Sequence, residues 1–141
     1  HALRQNCTLT SLDLSCNLIS GREGGECLAW ALQENAMLKS LDLSKNRLLD
    51  EGAALIARAL HVNATLTSLD LICNGIRSRG AFFFALALQK NAIVRSLDLS
   101  DNHIGNEGAA QISFALRDNA IVTFLNLGRN HIGDLGAAAI A

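Results

Sequence analysis

The sequence predicts an α/β solenoid, a horseshoe arc with parallel strands on the concave face and helices on the convex face. Three observations predict it. The stretch SLDLS stands at 11–15, 40–44 and 96–100, with SLDLI at 68–72 between the last two. Leu12, Leu41, Leu69, Leu97 and Leu125 are separated by 29, 28, 28 and 28 residues, and Gly24, Gly52, Gly80, Gly108 and Gly136 by 28 throughout. Leu32, Leu60, Leu88 and Leu116 keep the same spacing, as do Asn35, Asn63, Asn91 and Asn119. Self-similarity at a fixed period of this size marks a stacked repeat. The extra residue of the first unit lies in LISGRE (18–23), a loop insertion.

Each unit opens with a strand. Leu12/Leu14, Leu41/Leu43, Leu69/Leu71, Leu97/Leu99 and Leu125/Leu127 alternate with polar residues, which puts the leucines on one face. A helix follows. Ala53, Ile56, Ala57 and Leu60 recur at i, i+3, i+4 and i+7, as do Ala109, Ile112, Ser113 and Leu116. Asp50, Ser78, Asn106 and Asp134 precede the helices as N-cap candidates. Asn35, Asn63, Asn91 and Asn119 close them, where asparagine tolerates a left-handed cap. Asn17, Asn46, Asn74, Asn102 and Asn130 come three residues after the last strand leucine. Their amides can satisfy backbone groups of their own and neighbouring loops, so they are expected to form a buried structural ladder. The recurrent glycines allow close approach of the loop backbone.

No unit can bury its leucines alone, so the units must stack. Strands stack about 4.8 Å apart and helices roughly 8–10 Å apart, which makes the strand side concave.

The units LKSLDLSKNRLLDEGAALIARALHVNAT and VRSLDLSDNHIGNEGAAQISFALRDNAI resemble the ribonuclease-inhibitor type of leucine-rich repeat. Their uniform length is more similar to the repeat domains of NOD-like receptors than to ribonuclease inhibitor, whose units alternate between two lengths. The resemblance implies a solenoid that binds proteins or ligands through its concave face and rims; a smaller branch activates small GTPases. The chain opens in a helix end, HALRQN, and stops inside a helix, GDLGAAAIA. Residues 1–141 are therefore expected to be a single leucine-rich-repeat segment of about four and a half repeats, an uncapped fragment of a longer protein.

Composition narrows the function. The net charge is −1 and 18% of residues are charged, which argues against a nucleic-acid partner. No apolar run is long enough for a membrane span, and no direct membrane contact is expected. Cys7, Cys16, Cys27 and Cys73 are irregularly spaced without a CxxC pair, which favours a reducing, intracellular and cytoplasmic home. NCT at 6–8 and NAT at 63–65 are formal glycosylation sequons, read here as structural asparagines. Catalytic motifs such as GxxxxGK[ST], HExxH and GxSxG are absent, and no cofactor, metal or enzymatic activity is expected. His103 and His131 share one loop position and read as exposed loop residues rather than metal ligands.

Positions that repeat serve the stack; exposed positions that vary are free to serve a partner. On the concave face Asp13, Asp42, Asp70 and Asp98 form a column. Their charge is expected to add nothing to the fold, and calcium or another ligand on the column is a minor reading. The fifth row breaks the pattern: Phe124, Asn126 and Arg129, with Ile72 two rows away, offer anchors of the kind that dominate binding hot spots. On the convex side Trp30, Leu86 and Phe114 fall opposite the buried helix stripe, and Phe82 and Phe83 flank an inward Phe84. Such an apolar patch implies packing against another domain or subunit. The leading expectation is a non-enzymatic protein-protein interaction scaffold within a larger protein or complex. The alternatives are a GTPase-activating protein of the repeat type and the ligand-sensing domain of a NOD-like receptor.

Overall fold

The computed structural model describes residues 2–141. Strands and helices alternate as α1 (Ala2–Gln5), β1 (Ser11–Asp13), α2 (Gly21–Glu34), β2 (Ser40–Asp42), α3 (Leu49–Leu60), β3 (Ser68–Asp70), α4 (Ser78–Lys90), β4 (Ser96–Asp98), α5 (Gly105–Leu116), β5 (Phe124–Asn126) and α6 (Asp134–Ile140). The five strands form one parallel sheet in sequence order. Its register is set by the repeat: Leu12, Leu41, Leu69, Leu97 and Leu125 are successive Cα partners. The fold is the α/β repeat solenoid that the spacing implies.

Period-2 leucines and period-3.6 helix residues meet in one core. Leu41, Leu43, Leu69, Leu71, Leu97 and Leu99 are buried from the sheet side, and Ile56, Leu60, Phe84, Leu88 and Ile112 from the helix side. In the outer strands Leu12, Leu14, Leu125 and Leu127 remain partly exposed, because each has a neighbouring unit on one side only.

Helix ends are closed by neighbouring units, which corrects both capping expectations. Asp50 and Asn106 each stand second in their helix, and Ser78 and Asp134 first, so none occupies the position that caps its own helix. Instead Asp50 Oδ1 accepts the N–H groups of Arg77 and Gly80 at the start of α4, at 2.8 and 2.9 Å. Asn106 Oδ1 does the same for Gly133 and Gly136 at the start of α6, at 2.8 and 3.1 Å. Nor do the helix-closing asparagines turn left-handed: Asn35 and Asn91 have φ of −77° and −74° with extended ψ. Each reaches back a unit. Asn63, Asn91 and Asn119 donate Nδ2–H to Leu32, Leu60 and Leu88 carbonyls at 2.7, 2.6 and 2.7 Å, satisfying groups that a helix end leaves free. Their Oδ1 atoms accept backbone N–H groups two and three residues ahead, as at Thr65 and Leu66 for Asn63.

Asn46, Asn74, Asn102 and Asn130 are also buried. Asn102 Nδ2 donates to Leu71 O of the preceding unit and to Leu99 O and Ser100 O of its own, at 2.9–3.0 Å. Its Oδ1 accepts from Asn74 N and Ile76 N, both at 3.0 Å. Asn46, Asn74 and Asn130 bond to Leu14 O, Leu43 O and Leu99 O in the same way. Asn17, in the first unit, is exposed and bonds only within its own loop, to Leu14 O and Ser15 O.

The first unit, one residue longer, turns left-handed at Gly21 (φ +46°), and from the second unit to the fifth the loops alternate although the spacing is constant. Leu49 and Gly105, in the second and fourth units, take φ of +54° and +64°. In the third and fifth units the left-handed residue stands two places earlier, at Gly75 (+71°) and His131 (+56°). Forward capping follows the same alternation, since Asp50 and Asn106 belong to the second and fourth units. Glycine is required where consecutive units touch: a Cβ on Gly80 would lie 2.7 Å from Asp50 Oδ1, and one on Gly52 2.7 Å from Gly21 O. No helix among the described residues is long and apolar enough to cross a membrane.

Candidate protein-recognition surfaces

The parallel register brings Asp13, Asp42, Asp70 and Asp98 into one column on the outward face of the sheet, with Asn126 as its fifth member. The carboxylates also do structural work as acceptors, which sequence reasoning did not anticipate. Oδ1 of Asp13, Asp42, Asp70 and Asp98 accepts the N–H two residues on, at 2.8, 2.8, 2.9 and 2.9 Å, fixing the bend where each strand ends. Asn126 makes the equivalent bond to Gly128 N at 3.0 Å and donates Nδ2–H to Asp98 Oδ2 at 2.9 Å. The break in the motif therefore joins the column through an uncharged end member.

Asp13 and Asp70, at the edge and in the middle of the column, are shifted in opposite directions. The exposed Asp13 is held below its ordinary value by hydrogen bonds from Ser15, side chain first and backbone second. Asp70, in the middle, is pushed up chiefly by burial and further by the charges of Asp42, Asp98 and Asp13, against the Ile72 N–H that lowers it.

Phe124 breaks the row of serines beside this column. It is the Cα partner of Ser96, and half of its surface is exposed (50%). Ile72 lies two rows away and is half-buried. Arg129 stands at the loop edge with φ of +54°, its guanidinium 3.5 Å from Asp101 Oδ1, a partner that strand-based reasoning missed. The same edge carries His103 and His131, both exposed, their rings stacked at 5.4 Å with an interplanar angle of 11°. Among the described residues no group of three or more His, Cys, Asp or Glu side chains is arranged to hold a metal ion. All four cysteines are exposed free thiols.

The convex aromatics divide into two groups. Trp30 is 52% exposed, with the Arg4 guanidinium 3.9 Å above its ring and its Nε1–H donated to Glu34 at 2.9 Å. Arg4 also bonds Glu34 at 2.6 Å, which holds the Glu34 carboxyl below its ordinary value. Arg58, exposed on α3, occupies the row position between Trp30 and Leu86. Phe82, Leu86 and Phe114 are the second group; they line a groove of about 490 Å³ between α4 and α5, with Ala85 and Ala110 among its walls. Phe83 is half-buried edge-on to Phe82 at 5.6 Å between ring centres, and Phe84 is fully buried.

The family model for the Leucine Rich repeat matches five successive segments, residues 5–29, 34–57, 62–85, 90–113 and 116–141. The chain belongs to the leucine-rich repeat family. Two solved structures share the leucine-rich repeat arc over nearly all of this chain. Leiomodin-1 actin-binding site 2 superposes with a TM-score of 0.86 at 24% identity, covering 99% of this chain and 81% of that one. The tropomodulin C-terminal domain of Caenorhabditis elegans superposes with a TM-score of 0.82 at 12% identity, covering 99% and 84%. No curated protein matches this leucine-rich repeat chain.

Proposed function

We propose that this chain is a non-enzymatic protein-recognition module that binds its partner on the concave sheet, with Phe124 as anchor beside the aspartate column. The observation that carries the reading is Phe124 itself. A half-exposed aromatic stands where Ser11, Ser40, Ser68 and Ser96 stand in the other rows. Desolvating a ring on a preformed rigid sheet costs little ordering, which is how a few side chains come to dominate an interface. The acidic column supplies long-range attraction for a basic surface and Arg129 an edge contact.

Two further features support recognition as the task. The repeat resembles the ribonuclease-inhibitor type in the style of NOD-like receptor domains, whose members recognise proteins or ligands inside cells. Leiomodin-1, one of the structural neighbours, carries an actin-binding site in the matching domain, so actin is the first partner to assay. The test is affinity capture with the wild-type chain, Phe124→Ala, Asp42→Asn/Asp70→Asn and Trp30→Ala, followed by titration of the captured protein. The reading expects the first two variants to lose binding and Trp30→Ala to retain it, with affinity falling as salt rises. Binding that survives both concave variants overturns the assignment, and stimulated GTP hydrolysis by a small GTPase overturns the non-enzymatic reading.

A further inference from the structure

The fold leaves three cations along the groove between α3 and α4 without an ionic partner. Arg58 on α3 and Arg79 and Lys90 on α4 are exposed, and none of the ion pairs among the described residues includes any of them. Arg79 and Arg58 line one end of the groove, and Arg58 and Lys90 line a larger stretch of about 640 Å³. Phe83 is a wall of both stretches, and Val62 and Leu86, both exposed, add apolar surface to the larger one.

Each cation is a departure from the repeat. Where Arg58 stands, the other units carry Trp30, Leu86 and Phe114; where Arg79 stands, Glu23, Glu51 and Glu107; where Lys90 stands, Glu34, Val62 and Asp118. In every row an acidic or apolar residue gives way to a cation, and all three changes converge on one groove of a chain whose net charge is −1. The acids that line it, Asp50 and Glu51, are confined to the Arg79 end, together with Arg22, which is paired with Glu26. Asp50 Oδ1 is already committed to the start of α4. No acid lines the larger stretch.

The repeat also sets the spacing. Arg58 is the equivalent of Leu86, so on helices stacked in register the cations run Arg79, Arg58, Lys90 at offsets of seven and eleven residues. At about 1.5 Å per residue these offsets are roughly 10 and 16 Å along the groove. A helix laid in the groove in the direction of α4 presents i, i+7 and i+11 on one face at the same intervals, with i+3, i+4 and i+8 beside them.

We propose that the α3–α4 groove takes an amphipathic helix of a partner protein, with carboxylates at i, i+7 and i+11 against Arg79, Arg58 and Lys90 and apolar residues between them on Phe83 and Leu86. Docking of this kind draws affinity from the apolar anchors and register from the charges. The groove lies on the helical side, away from the sheet, so this site and the concave-face recognition stand or fall separately.

The probe is a labelled alanine–glutamine helix of about 18 residues with glutamates at i, i+7 and i+11 and leucines at i+3, i+4 and i+8. Its fluorescence anisotropy is followed as the 141-residue chain is added up to about 1 mM. Saturable binding is expected, about tenfold or more weaker for a peptide of the same composition with its glutamates moved to the opposite face. Arg58→Glu/Lys90→Glu is expected to weaken binding by about tenfold or more, and Phe124→Ala to leave it within about twofold of wild type. Circular dichroism of each exposed-site variant checks that the fold is kept. No binding up to the highest concentration overturns the proposal, as does equal binding of the rearranged peptide or indifference to Arg58→Glu/Lys90→Glu. Sedimentation with phosphatidylserine vesicles that the same double variant abolishes, in a chain that ignores the peptide, overturns it in favour of a lipid surface.

Discussion

Asp50 holds the first turn of a helix to which it does not belong: its Oδ1 accepts the Gly80 N–H of α4 at 2.9 Å while its own backbone lies in α3. One carboxylate oxygen thereby joins two units, and the stack gains a nearest-neighbour bond where a conventional cap would serve a single helix. Asp50→Ala is expected to destabilise the chain by about 1 kcal/mol. Asp50→Asn retains the acceptor, as Asn106 does at α6, and is expected to cost little. Ser78→Ala, at the position where sequence reasoning placed α4's own cap, is expected to be close to neutral. Urea unfolding of the three variants checks the order.

Asn102 sets a larger effect. Its amide satisfies three carbonyls and two N–H groups across two units in a buried loop. Truncation to alanine strands several buried backbone groups at once, and Asn102→Ala is expected to cost roughly 3 kcal/mol or more. Asn17→Ala is the contrast, since Asn17 is exposed and bonds only within its own loop. Its loss is expected to be much smaller by the same measurement.

Thr65 is a site where stability can rise. Its Oγ1 is buried without a hydrogen-bond partner, whereas Ile93 and Ile121 stand at the equivalent position of later units. Thr65→Val removes a desolvated hydroxyl and keeps the shape, and is expected to stabilise the chain by about 1 kcal/mol in thermal or urea unfolding. The substitution also removes the sequon at 63–65, whose Asn63 already commits its Nδ2–H to Leu32 O.

Asp70 makes stability depend on pH. Burial and the neighbouring carboxylates raise its folded-state pKa, so the folded chain binds the proton more tightly than the unfolded chain. Ionisation therefore costs stability. The cost is absent below the unfolded value of about 3.9, appears as pH rises through the raised value, and is full above it. Asp70→Asn keeps the acceptor for Ile72 N, as Asn126 does for Gly128 N, and removes the charge. The variant is expected to be more stable than wild type at neutral pH, with the difference closing on acidification. An advantage that persists unchanged below pH of about 3.9 contradicts this account.

The strands, the helices and the leucine core were legible because each is written several times at one spacing. Leu41, Leu69 and Leu97 need only stack to be buried. The direction of a side-chain bond is written nowhere: Asp50 looks like a cap for α3 until the stack brings Gly80 within reach. Alternation of the loops was hidden for a similar reason, since equal unit lengths conceal whether Leu49 or Gly75 takes the left-handed turn. On the concave face sequence reasoning found the column and its break at Phe124. It missed that each aspartate secures a strand end and that Arg129 meets Asp101, because both depend on distances between residues rather than on their order.

Site-specific photo-crosslinking tests the recognition account most directly. A benzoylphenylalanine replaces Phe124 in one variant and Trp30 in another, each expressed in cells and irradiated. The account predicts adducts to another polypeptide from position 124 that fade in the Asp42→Asn/Asp70→Asn background and at raised salt, and few from position 30. Adducts from position 30 with none from position 124 would contradict it.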